Sequence, residues 1–106
     1  MKPAVIVLVT APDARSARRL SDALVGERLA ACVTVVPGAR STYRWKGKVE
    51  RARETVLLIK TRASLAKRLE RRVRELHPYD VPEILAIRPA TGEARYLSWI
   101  EESTRP

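Results

Sequence analysis

The chain has 106 residues, 45% of them hydrophobic and 31% charged, with a formal net charge of +9 and a single cysteine. That length bounds one domain with one core over residues 1–106, and the composition is that of a globular chain rather than a disordered or fibrous one. Cys32 alone excludes an intrachain disulfide or a cysteine zinc cluster, and the first apolar run, Ala4 to Val9, is too short for a signal peptide or membrane span, so the cytoplasm is the expected compartment.

Ala4 to Thr10 reads as a buried strand from its run of Val, Ile and Leu. Pro12-Asp13 starts a helix with Asp13 as N-cap; Ala17, Leu20 and Leu24 repeat at helical spacing, and Gly26 marks the approach to its end. Cys32 to Val36 begins a second strand that continues past Pro37-Gly38 through Tyr43-Arg44-Trp45. Lys46-Gly47 is a tight hairpin turn, because glycine accepts positive φ, and Lys48 to Thr61 returns as a third strand. Leu65, Leu69, Val73 and Leu76 form one face of a second helix, capped by Ser64 and stopped at Pro78. Glu83 to Ile87 is a fourth strand. Glu93 to Glu102 is a last helix, with Tyr96, Leu97 and Ile100 facing inward.

The order β-α-β-β-α-β plus a terminal helix predicts an α+β, ferredoxin-like split βαβ sandwich with an antiparallel sheet and a long hairpin between its second and third strands. Pro37 places the second strand at a sheet edge, where a missing N–H costs little. The first and third strands are apolar at consecutive positions, so both sheet faces should be buried. Two helices cover only one face in this topology, which leaves the other for a second copy of the chain.

The net charge makes anionic partners a first candidate, yet the arginines are scattered, and the densest group, Arg68, Arg71, Arg72 and Arg74, points in more than one direction around a helix. RNA-recognition domains of this topology stack bases on aromatics of the central strands. The chain contains no phenylalanine, and its third strand is Val56-Leu57-Leu58-Ile59, which argues against a specific nucleic-acid module. An acylphosphatase-type enzyme needs a phosphate-cradling loop after the first strand; Thr10-Ala11-Pro12-Asp13 is glycine-free and carries an acid there.

Two segments stand out chemically. His77-Pro78-Tyr79-Asp80-Val81-Pro82-Glu83 holds the single histidine, at a stiff bend, with acids close by. The hairpin tip sets Tyr43 opposite Glu50 and Trp45 opposite Lys48, and its two aromatics suit insertion against a neighbouring subunit. No nucleophile–base pair or glycine-rich phosphate loop is present.

Leu29-Ala30-Ala31-Cys32-Val33, Pro37-Gly38, Tyr43-Arg44-Trp45-Lys46-Gly47-Lys48, Leu58-Ile59-Lys60-Thr61, His77 to Ile84 and Tyr96-Leu97-Ser98-Trp99-Ile100 together resemble the CutA divalent-cation tolerance family, in register from Val5 to Glu101. The resemblance implies a cytoplasmic, non-enzymatic homotrimer whose hairpins lock subunits together, linked to divalent-metal tolerance and above all to copper. It also implies a possible regulatory role, since the family's trimer resembles PII signalling proteins. Family members described as copper-binding place a cysteine before Thr-Ala-Pro-Asp and a His-His pair before Pro-Tyr. Here those positions hold Val9 and Leu76-His77, so His77 is the one remaining metal ligand, and Cu(II) or another divalent cation is expected to bind weakly. The ring of His77 is expected at the surface, and the thiol of Cys32 in an apolar strand is expected to be inert. The inter-subunit cleft is expected to gather Tyr43, Trp45, Glu50, Lys60, Tyr79 and Glu83 around His77. Divalent cations and further copies of the chain are the expected partners, with no membrane involved.

Overall fold

The computed structural model describes residues 3–106. Its elements are β1 (Ala4–Ala11), α1 (Ala14–Gly26), β2 (Cys32–Trp45), β3 (Lys48–Arg62), a 3₁₀ turn (Ala63–Leu65), α2 (Ala66–Leu76), β4 (Ile84–Ile87) and α3 (Ala94–Ser103). All strand pairs are antiparallel in the order β2-β3-β1-β4, the ferredoxin-like arrangement, with Pro37 on an edge strand as expected.

One face of the sheet packs on the helices. Val5, Val7, Val9 and Ala11 alternate inward along β1 and meet Thr61, Ile59, Leu57 and Thr55 of β3. Against them lie Ala17, Leu20 and Leu24 of α1 and Leu69 and Val73 of α2, all fully or almost fully buried. Each large side chain here contributes about 1.5–3 kcal/mol by leaving water. Thr61 is the one fully buried polar side chain among them, and its hydroxyl donates to the Leu29 carbonyl at 2.6 Å.

The other face is left largely uncovered by the described residues. Ile6, Leu8, Val56, Leu58, Leu85 and Ile87 share it, because directly paired residues point the same way. Leu85 and Ile87 remain 55% and 47% exposed. The expectation that both faces are buried therefore holds for one face only of the isolated chain. At the far end α3 crosses this side, where the Arg62 guanidinium donates to the Thr104 hydroxyl at 2.8 Å and to its carbonyl at 2.9 Å.

The helix ends follow from local chemistry. Asp13 caps α1 by accepting the Ser16 N–H at 2.8 Å, and that bond holds its carboxyl below its ordinary pKa. The left-handed residue after α1 is Arg28 (φ 59), not a glycine; Leu29 N–H closes back on the Leu24 carbonyl at 2.9 Å. Ser64 does not cap α2. The chain enters that helix through the 3₁₀ turn, and the extended residue before the turn is Arg62, whose side chain has only donors and is held by Thr104. Glu93 caps α3 by accepting the Tyr96 N–H at 2.9 Å. Tyr96 does not face inward; it is 43% exposed and stacks on Trp99, its neighbour three residues on, while Ile100 takes the inner position.

The β2–β3 hairpin carries the molecule to a length of 45 Å. Lys46 (φ 49) and Gly47 (φ 80) make the two-residue turn, with Tyr43 opposite Glu50 and Trp45 opposite Lys48 as the sequence predicts. Between Val36 and Ala39 the edge strand bulges, and Gly38 takes φ 79 there.

Candidate ligand cleft

Pro78 forces the residue before it out of helical geometry, so His77 leaves α2 extended (φ −76, ψ 137) while its N–H still bonds the Val73 carbonyl. The ring then turns under the sheet end. His77 Nε2 lies 2.7 Å from the Thr10 carbonyl, and Nδ1 accepts the Tyr79 N–H at 3.1 Å. A carbonyl only accepts, so Nε2 carries the proton and the ring is the neutral tautomer. At 7% exposure His77 is buried, which corrects the expectation of a surface ring. Both nitrogens are engaged in holding the loop after α2 against β1. Val9 is fully buried in the core and Leu76 packs at its margin. Among the described residues no group of three or more His, Cys, Asp or Glu side chains converges closely enough to hold a metal ion.

The loop so anchored presents Tyr79, whose ring packs at 4.8 Å from His77 and whose hydroxyl donates to Glu54 Oε2 at 2.9 Å. Burial, and then the Glu54 bond and charge, push the Tyr79 phenol up to about 12. Glu54 itself is only 7% exposed. It stands on the uncovered face of the sheet, two residues from Val56 along β3, and pairs with Ala39 just past the bulge.

These groups line a cleft of about 450 Å³ together with Thr10, Tyr43, Trp45, Pro78, Asp80, Val81 and Glu83. Tyr43 and Trp45 share Glu54's face through the β2–β3 register. The hairpin aromatics thus have a place within one chain, as one wall of the cleft opposite the Tyr79 loop. Of the residues expected at the site, Tyr43, Trp45, Tyr79 and Glu83 come together, with His77 directly beneath. Glu50 pairs with Tyr43 but does not line the cleft. Lys60 lies six residues along β3 from Glu54, roughly 20 Å at strand rise, and its ammonium donates to Thr34 Oγ1 at 2.6 Å and the Leu58 carbonyl at 3.0 Å. Glu54 is the residue that sequence reasoning missed. Its signal is the period-two frame Glu54, Val56, Leu58, which sets a carboxylate on an apolar face.

Residues 5–103 match the family described as CutA1 divalent ion tolerance protein. The chain is 50% identical over 99 residues to the divalent-cation tolerance protein CutA of Thermus thermophilus, covering 93% of this chain and 96% of that one. It is 45% identical over 103 residues to the chloroplastic CutA 1 of Oryza sativa, covering 97% of this chain and 58% of that one. The crystal structure of CutA from Xylella fastidiosa superposes with a TM-score of 0.95 at 46% identity, covering 97% of this chain and 99% of that one. The chain belongs to the CutA1 divalent-ion tolerance family.

Proposed function

We propose that the chain assembles as a homotrimer about its uncovered sheet face, and that each inter-subunit cleft binds a divalent cation or a small ligand without catalysing a reaction. One observation carries this reading: the cleft opens on the same sheet face that is left apolar and exposed, with Glu54 and Thr10 continuing the rows of Val56 and Leu8. A subunit that covers Leu85 and Ile87 adds a wall to the cleft, so assembly and binding are coupled. The relatives' descriptions as divalent-cation tolerance proteins support a cation as the ligand.

Copper is the metal we propose first, held weakly. His77 keeps both ring nitrogens in the loop, so the accessible donors are the free oxygen of Glu54, the carboxylates of Asp80 and Glu83 and what a neighbouring subunit brings. We place the protein in the cytoplasm. No helix among the described residues is long and apolar enough to cross a membrane, and the one cysteine is a free thiol. Calorimetric titration of the assembled protein with Cu(II) and Zn(II) tests the binding half of the proposal. Saturable heat that is reduced in Asp80→Asn/Glu83→Gln supports it, and no saturable heat with either ion, or heat unaltered in that variant, contradicts it.

A further inference from the structure

The cleft has a chemistry of its own beyond divalent metal. Among the described residues its lining contains three aromatic rings (Tyr43, Trp45, Tyr79) and three carboxylates (Glu54, Asp80, Glu83), and no lysine or arginine, in a chain of net charge +9. The hollow is thus acidic and ring-lined, in contrast with a chain that is basic as a whole.

Glu54 gives the contrast its direction. Its side chain is more than nine-tenths buried, yet among the described residues no lysine, arginine or histidine forms an ion pair with it. Its one hydrogen bond is the neutral Tyr79 hydroxyl on Oε2. No buried side-chain oxygen among the described residues lacks a partner, so Oε1, which accepts no bond, opens to the cleft. One oxygen of the Glu54 carboxylate thus faces the cleft with no countercharge on it, and a cation delivered into the hollow pairs with it.

The rings decide which kind of cation. A divalent ion needs several oxygen or nitrogen donors converging within coordination distance, and such a group is absent among the described residues. Aromatic faces attract organic cations instead, through the ring quadrupole. The Lys46 ammonium stands 5.9 Å from the Trp45 ring centroid, at the outer limit of that attraction. The volume of about 450 Å³ falls within the range of small-molecule sites. We infer that this cleft binds a small organic cation bearing N–H donors, an alkylammonium or alkylguanidinium, whose charged end bonds Glu54 Oε1 beside the Tyr79 ring while its body lies along the aromatic wall of the cleft.

The inference rests on the reading of the cleft as a ligand site, and the test separates the two. The assembled protein carrying Trp99→Phe, which leaves Trp45 as its sole tryptophan, is titrated with butylammonium, butylguanidinium, the uncharged alcohol pentan-1-ol, and separately with Zn(II) and Cu(II). Ionic strength is held constant with sodium chloride, tryptophan emission is followed, and calorimetry runs in parallel. Saturable emission changes are expected for at least one cation below about 10 mM and none for pentan-1-ol. Glu54→Gln is expected to weaken the cation by at least about tenfold through loss of the charge-assisted bond. Equal binding of pentan-1-ol, or of the cations to Glu54→Gln, overturns the inference. Saturation by Zn(II) or Cu(II) with silence toward both organic cations overturns it while leaving the cleft a metal site. Silence toward all of them overturns both readings.

Discussion

Replacing Glu54 by Gln tests the bond on which the cleft is built. The variant keeps size and shape and removes one charge, so it isolates what the carboxylate does to Tyr79. In the native protein the phenol is pushed up to about 12 from 10.0, first by burial and then by the Glu54 bond and charge. Burial survives the substitution. The bond loses its ionic character, worth about 1 kcal/mol and thus less than tenfold in proton affinity, and partial solvation of the phenol lessens it further. The Tyr79 midpoint should therefore fall below its native position and stay above that of an ordinary phenol. Spectrophotometric titration at alkaline pH measures it, with the difference between native protein and Tyr79→Phe isolating one ring of three. The sign for stability follows, because the folded phenol holds its proton more tightly than the unfolded one. The contribution is complete below about pH 10 and is lost as pH rises toward about 12. Native protein should thus lose stability more steeply across that window than Tyr79→Phe. A Tyr79 midpoint near 10 in the native protein, or one unmoved by Glu54→Gln, would contradict this assignment of the Tyr79–Glu54 bond.

Other outcomes follow from the same geometry. Arg28→Gly should stabilise by roughly 0.5–1 kcal/mol in urea unfolding, because glycine relieves the left-handed strain at φ 59 at some cost in unfolded-state entropy; a loss of stability contradicts this. Leu24→Ala, at a fully buried position facing the sheet, should cost about 3 kcal/mol in the same assay, and a cost under about 1 kcal/mol would mean that the α1–sheet packing is misassigned. Thr61→Val should cost about 1 kcal/mol by removing the hydroxyl donor from the Leu29 carbonyl, whereas a neutral result would place that carbonyl in water.

Most of the fold is legible because its signals are local. The apolar run of β1, the Asp13 cap, the Lys46-Gly47 turn and the stop at Pro78 each depend on a few adjacent residues. The misread positions are those where a distant partner decides. Ser64 looks like a cap, but Arg62, tied to Thr104 from the far end of the chain, occupies the position before the turn. His77 looks like an exposed ligand, but its partner is the Thr10 carbonyl, 67 residues earlier. Tyr96 and Ile100 both fit the inner side of α3, and only the stacking on Trp99 assigns Tyr96 outward. At the cleft, the aromatic hairpin and the Tyr79 loop are visible as separate motifs. The Glu54 carboxylate that joins them sits among arginines, Arg51 and Arg53, and reads as surface until the β3 frame is fixed.

In the proposed assembly, other copies of the chain complete the uncovered sheet face and the cleft at its end. Multi-angle light scattering of the native protein at micromolar concentration measures this directly. Three times the chain mass of 11.9 kDa is expected. A folded species at 11.9 kDa would contradict it, since Leu85 and Ile87 would then stand in water with nothing to cover them.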